Sequence, residues 1–362
     1  MEKALRQVSR GLERQAPVEQ PAFVFPVVDE PRATLLPRAS LRDVLLRKSP
    51  LVGARCDEAG LRGFLSPAEA RILLGIDYAD AVAIERAYQP SLGRNLGTAF
   101  RTAVASLLAP RGDVRRERRP FIVSSRVDAI TRKQALQAIV TPLATRAKMV
   151  FFAHPHALNL ARFDPALAKH LERADLVLPD GIGIRLAAQL LGLSLPHNLN
   201  GTDMLPPICE EAARLGIPIA LVGGKPGVAA ACSERLCAQI SGLKIPFVAD
   251  GYLDDRESAL VVKQLRRMGR CIVLIGMGTP IQEKWAMEHL ADLKGVTAVT
   301  VGGLFDFFAG RVERAPIAWR ELGLEWLFRL IKEPRRMARR YLVGNPLFLM
   351  LALIQRWRTG NR

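Results

Sequence analysis

Asp180 has the neighbours a reacting carboxylate needs. It ends the apolar run Leu176-Val-Leu-Pro and precedes Gly181-Ile-Gly183. A carboxylate at a strand end, beside glycines that let a ligand approach the backbone, can serve as a general base. The same pattern also describes an N-cap for a helix through Ile184 to Leu191. Three further segments have the same texture: Phe151-Phe-Ala-His154-Pro-His156, Val222-Gly223-Gly224-Lys225-Pro, and Gly276-Met-Gly278-Thr-Pro-Ile-Gln282-Glu283. In such segments a phosphate or sugar can meet backbone amides and the positive end of the following helix. Each has a plainer reading. Gly223-Gly224 is equally a tight turn, His154 equally a satisfied structural histidine, and Gln282-Glu283 equally a helix start. Neither a Walker A loop nor a G-x-G-x-x-G fingerprint is present.

Charge narrows the ligand class. The 362 residues include 52 Lys+Arg and 35 Asp+Glu, a net +17, which favours phosphate-bearing partners. Residues 320–362 hold 10 basic and 3 acidic side chains, the largest excess in the shortest length. No zinc finger, RNP motif or obvious helix-turn-helix accompanies this charge, so nucleic acid is not the expected partner. Hydrophobic residues at 49% and charged residues at 24% exclude disorder, collagen and coiled coil as overall descriptions. The cysteines (56, 209, 232, 237 and 271) form no C-x-x-C pair, so neither a disulfide framework nor a zinc site is expected. Residues 1–20 are polar and charged, unlike a signal peptide.

The elements that must position these residues follow from periodicity. The run Arg111 to Pro120, with five arginines in nine residues, reads as a solvated linker. Before it, residues 1–40 are rich in Pro, Arg and Gln, and Ser66 to Leu74 and Thr98 to Leu108 have helical patterns. After it, strands are expected at Phe121-Ile-Val-Ser, Lys148–Ala153, Leu176–Pro179, Ile217–Gly224, Cys271–Gly278 and Ala298–Gly303. Helices are expected from Thr131, over Ala157–Arg173, Val228–Ile240 and Ile281–Leu293, and Asp254-Asp255 reads as loop. Short apolar strands alternating with amphipathic helices define an α/β domain with a largely parallel sheet. Ligands of such sheets lie beyond the carboxyl ends of the strands.

Residues from about 123 to 341 resemble the WecG/TagA/CpsF family, glycosyltransferase family 26. The resemblance is carried by Ala174-Asp-Leu-Val-Leu-Pro-Asp180-Gly-Ile-Gly, Asn200-Gly-Thr-Asp203, Gly276-Met-Gly-Thr-Pro-Ile-Gln282-Glu-Lys-Trp285 and Val301-Gly-Gly-Leu-Phe-Asp306-Phe-Phe-Ala-Gly310. Arg314-Ala-Pro316, Leu324-Glu-Trp326-Leu-Phe-Arg329 and Glu333-Pro-Arg335-Arg-Met-Ala-Arg339-Arg-Tyr341 extend it. It implies a Rossmann-like fold of the GT-E type over 121–312, a basic, helical, membrane-associating appendage over 313–362, and a separate N-terminal extension over 1–120. The implied reaction is metal-independent, inverting transfer of a sugar from a UDP-sugar to a polyprenyl-diphosphate-linked saccharide. Its place is the cytoplasmic face of the bacterial inner membrane, and association into oligomers is compatible with it.

By motif, Asp180 matches the proposed base and Gln282 an active-site glutamine. His154, Gly181, Asn200, Gly201, Asp203, Gly223 and Gly278 fall on expected sugar- or nucleotide-contacting positions. With no D-x-D at a strand end, arginines must offset leaving-group charge. Arg314, Arg329, Arg335 and Arg339 are the expected ones, with Arg336 and Arg340 turned to lipid headgroups. Tyr341 to Ile354 is uncharged but too short to span a bilayer and is interrupted at Asn345-Pro346, so it suits a helix lying in the interface. Two departures bear on the donor: Phe152 and His154 stand where the family usually has Thr-x-Asn, and Asn198 where it commonly has Arg. These departures leave a non-catalytic scaffold as the rival reading; a nicotinamide-dependent oxidoreductase would need the missing fingerprint. Asp77-Tyr-Ala-Asp and Gly97 to Leu108 also faintly resemble the tail of bacterial polyprenyl-phosphate sugar-1-phosphate transferases.

Overall fold

The computed structural model describes residues 117–316, 319 and 324–360, and before them 38–46, 48–53, 55, 63–70, 85–86 and 88–108. Residues 1–37, Cys56, Asp77–Asp80, most of the expected Ser66–Leu74 helix and the arginine run at 111–116 lie outside these.

Six parallel strands form the central sheet: β3 (Lys148–Ala153), β4 (Leu176–Pro179), β5 (Ile219–Gly223), β6 (Phe247–Ala249), β7 (Cys271–Gly276) and β8 (Val296–Thr300). Their order is β4-β3-β8-β7-β5-β6. A two-stranded antiparallel ribbon, β1 (Phe121–Ile122) with β2 (Ser125–Arg126), precedes the sheet. Register follows from alternation. Met149, Phe151 and Ala153 of β3 join Val177, Val273, Ile275 and Ala298 on one face. Val150 and Phe152 turn the other way, with Leu178, Leu221, Leu274 and Val299. Both faces are covered by helices, as an all-parallel sheet requires. The chain leaves β3 outward to β4 but reaches β8 from β7 on the opposite flank, so the crevice between β3 and β8 opens at their carboxyl ends.

Three local expectations are corrected. Ala157–Arg173 is two helices, Pro155–Phe163 and Pro165–Arg173, because Asp164 accepts from the amides of Ala166 and Leu167 and Pro165 starts a new helix. Asp254 is no loop residue but the N-cap of the Asp255–Met268 helix, in a capping box with Glu257. Neither the interruption nor the shortness expected of the C-terminal segment holds: one helix runs from Pro334 to Thr359, 26 residues, by length and composition enough to cross a membrane. A π turn at Arg339–Val343, closed by the Gly344 amide on the Arg339 carbonyl, widens the backbone just where the proline ring would crowd it.

That helix has two faces. Phe348 and Ala352 are wholly buried in the core cluster of β3 and the Pro155–Phe163 and Ile182–Leu190 helices. Asn159 donates to the Gly344 carbonyl at 2.7 Å, and Gln355 bonds both the Val123 amide (2.7 Å) and the Phe121 carbonyl (2.8 Å). Leu342, Val343, Met350, Leu353 and Trp357 are exposed on the other side. Because Phe348 fixes the docked face, Phe348→Ala should cost about 3–5 kcal/mol, read by urea unfolding. A loss below ~1 kcal/mol would show that the helix is not part of the cooperative fold.

Candidate active site at the carboxyl ends of the strands

The ends of β3, β4, β7 and β8 open into one pocket of about 340 Å³, whose remaining wall comes from residues 198–203 and the C-terminal segment. At the β4 end, Gly181 rather than Asp180 takes the N-cap position of the Ile182–Leu190 helix, and no side chain caps it. Gly181 needs its φ of +89°, and its amide donates to Asn198 Oδ1 at 2.9 Å. Asn198 is thus one of the supports of the Asp180 turn. Gly183 allows close packing: a Cβ there would lie 2.5 Å from Pro155 Cγ. The Asp180 carboxyl is left to the pocket. Burial pushes its pKa up to about 6, with Glu325 and Asp203 acting the same way while Arg329 and Arg340 pull it down.

His154 closes β3 and caps the Pro155–Phe163 helix, its Nδ1 accepting from the Ala157 amide at 3.0 Å. Imidazole nitrogen here performs the capping that an asparagine oxygen would perform. Burial, with Arg340, His156 and Arg329 nearby, holds His154 neutral, its pKa well below the ordinary value. His156, stacked on it at 6.1 Å, is lowered to about 4 by burial and Arg340. With Nδ1 accepting, the ring proton sits on Nε2.

Gln282 is only 4% exposed, and its amide is already engaged. Oε1 accepts from the amides of Gly278 (3.1 Å) and Gly302 (2.9 Å), while Nε2 donates to Glu283 Oε1 (2.8 Å) and Thr279 Oγ1 (3.4 Å). It clasps the loops after β7 and β8 together. Glu283 is buried beneath it and its pKa is raised by that burial. Gly278 lines the pocket. Gly223 does not: a Cβ on it would lie 2.5 Å from the Gly276 backbone, so its small size serves the approach of β5 to β7.

Asn200 caps the Gly201–Arg214 helix through the Asp203 amide (2.9 Å) and donates to Asp203 Oδ2 (2.7 Å). Gly201 sits at the pocket edge, where a Cβ would lie 2.6 Å from Leu304 Cδ1. Asp203 also holds Arg314 in a buried ion pair. Arg314, expected among the phosphate-facing arginines, does not line the pocket but ties the C-terminal segment to the Gly201–Arg214 helix.

Two arginines of that segment do line it, Arg329 and Arg340. Arg329 bonds Glu325 at 2.9 Å and stacks 4.5 Å above the Phe307 ring. Arg340 lies 3.3 Å from His154 Nδ1. Arg335 and Arg339 are exposed outside the pocket, and Arg340 is turned inward rather than toward lipid. The reason is helical phase. Met337 and Tyr341, four apart, are the buried stripe, and Arg340, three on from Met337, shares their side. Arg185, buried on the pocket wall, was not among the expected residues; its signal was a lone cation in the apolar helix Ile182-Gly-Ile-Arg-Leu-Ala-Ala. Among the described residues, no three His, Cys, Asp or Glu side chains gather as a metal site.

The parallel α/β sheet thus gathers a carboxylate, glycine loops and arginines around one pocket at its carboxyl end, where ligands of such sheets lie. The model of the Glycosyl transferase WecG/TagA/CpsF family matches residues 121–362, and the chain belongs to that family.

If Gln282 is a clasp, Gln282→Leu strands two loop amides and the Glu283 carboxyl. A stability loss of about 2–4 kcal/mol is expected by denaturant titration. A variant as stable as the parent would mean the amide is free to serve a ligand instead.

Proposed function

We propose that this chain transfers a hexose, N-acetylmannosamine, glucose or a related sugar, from a UDP-sugar to a polyprenyl-diphosphate-linked saccharide with inversion of configuration. The observation that carries this reading is Asp180, a carboxyl with a pKa raised to about 6 in a pocket walled by Arg329 and Arg340. A base should titrate near the working pH, and burial moves Asp180 toward it. Its carboxylate takes the proton of the acceptor hydroxyl as that oxygen bonds to the anomeric carbon. The bond from that carbon to the UDP oxygen breaks on the opposite face, and the electron pair leaves with the diphosphate. Arg329 and Arg340, with Arg185 on the wall, stabilise the charge that develops there without a metal. Neutral His154 offers Nε2–H as a donor to sugar or phosphate oxygen.

The appendage suits a lipid-linked acceptor. Its exposed side presents Leu342, Val343, Met350, Leu353 and Trp357 near exposed Arg335, Arg336 and Arg339, the make-up of a helix lying in an anionic interface. In this reading the protein works as a peripheral enzyme at the cytoplasmic face of a bacterial inner membrane, in exopolysaccharide or cell-envelope glycan synthesis.

Mass-spectrometric assay of purified protein with UDP-sugars and short-chain polyprenyl-diphosphate acceptors tests the class. A product one sugar heavier is expected, reduced at least about a hundredfold in Asp180→Asn. Unchanged turnover in that variant would remove Asp180 from the mechanism. For the active enzyme, kcat/KM should fall tenfold per pH unit below about 6, as Asp180 becomes protonated. Arg340→Ala removes a cation that favours the carboxylate, so the acid limb should move to higher pH. A limb that stays put would assign that ionisation elsewhere. Arg335→Gln with Arg339→Gln should leave donor KM within about twofold while weakening binding to anionic vesicles. A large rise in donor KM would instead bring these arginines to the diphosphate.

A further inference from the structure

The helix Leu92–Leu108, outside the family match, is amphipathic in the wrong sense for a helix in water. Its inward side is small and weakly polar: Thr98, Thr102 and Ala105 are buried, and Tyr88 bonds Asn95 at 2.8 Å. Three of its large apolar side chains point out. Leu92, Leu96 and Phe100, spaced four apart on one face, are 79%, 59% and 64% exposed. A soluble helix buries such a stripe and shows its small polar residues to solvent. Among the described residues, nothing covers it.

Charge indicates what does. Residues 1–85 contain 12 basic and 12 acidic side chains. Residues 86–119 contain eight arginines, at 86, 94, 101, 111, 115, 116, 118 and 119, against Asp113 and Glu117. The whole excess of the N-terminal third thus lies on the stripe's own helix and the residues flanking it, and the helix itself has no acidic residue. A protein partner would have to match both a strip of leucine and phenylalanine and a run of cations. An anionic bilayer matches both at once: acyl chains take the apolar side chains, and headgroups take the guanidinium groups.

We propose that Leu92–Leu108 is a second lipid-docking helix, which lays Leu92, Leu96 and Phe100 into an anionic membrane interface independently of the C-terminal helix. It does not depend on which reaction the pocket performs.

The test is sedimentation of the full chain with phosphatidylcholine vesicles, with and without phosphatidylglycerol. A parent carrying Leu353→Glu and Trp357→Glu weakens the C-terminal contact so that it does not mask the other. This parent should still bind the anionic vesicles, and adding L92E, L96E and F100E should lower its partitioning by about tenfold or more. All three positions are exposed, so an unchanged melting temperature is expected and separates lost docking from lost folding. Arg111→Gln, Arg115→Gln and Arg116→Gln in the same parent should weaken binding and flatten its dependence on salt. Equal partitioning with and without the three glutamates would overturn the proposal. So would a parent that no longer binds, or a stripe variant whose only change is a lower oligomeric state in sedimentation velocity.

Discussion

A carboxylate buried at the open end of a parallel sheet needs cations close by, and the sheet has little means of supplying them. Strands β3, β4, β7 and β8 end in glycines, backbone amides, a neutral histidine and one acid. The helix after β4 supplies a single arginine, Arg185. Arg329 and Arg340 come from residues well beyond the last strand. The electrostatics of the pocket therefore depend on holding a long C-terminal segment against the sheet. The Arg314–Asp203 pair does this at the start of that segment, and Phe348, Gln355 and Asn159 do it further on. Pairing of two buried charges is a weak source of net stability, but losing one partner is costly. Asp203 thus serves geometry from a position that looks like a ligand site.

Several residues expected as ligand contacts also hold other residues in place. Gln282 joins two loops, Asn200 caps a helix and braces Asp203, Asn198 secures the turn after Asp180, and Gly223 lets two strands meet. Asp180, His154, Arg185, Arg329 and Arg340 are among the charged and polar side chains that line the cavity beside them. A buried amide has few hydrogen bonds to give, and the protein has taken those of Gln282 already.

The sheet was legible because buried parallel strands are short apolar runs, and five of the six stood out between amphipathic helices. β6 did not, being three half-buried residues on an edge just after Pro246. The Asp164-Pro165 break and the Asp254 cap carried local signals that were outweighed by longer patterns around them. The strand end marked Asp180 as a candidate but described an N-cap as well, and the surrounding motifs were needed to choose between the two. Which arginines face the pocket could not be read, because Arg335, Arg336, Arg339 and Arg340 crowd one arc of about 140° and a small rotation of the helix decides which of them turns inward. The decision belongs to Met337 and Tyr341, whose burial sets the phase, and only packing reveals it.

The helix Pro334–Thr359 is continuous through its π turn, so Arg340 in the pocket and Trp357 on the exposed face ride on one rod. Seventeen residues of rise separate them, roughly 25 Å. Such a rod acts as a gauge. Wherever a surface grips the Leu353–Trp357 end, the guanidinium of Arg340 stands at a set distance from it, and a reacting group must reach that height to be served. Adding or removing one residue in the Arg339–Val343 turn would change the length little. It would swing the two ends about 100° out of phase, parting the grip from the pocket while leaving every side chain in place.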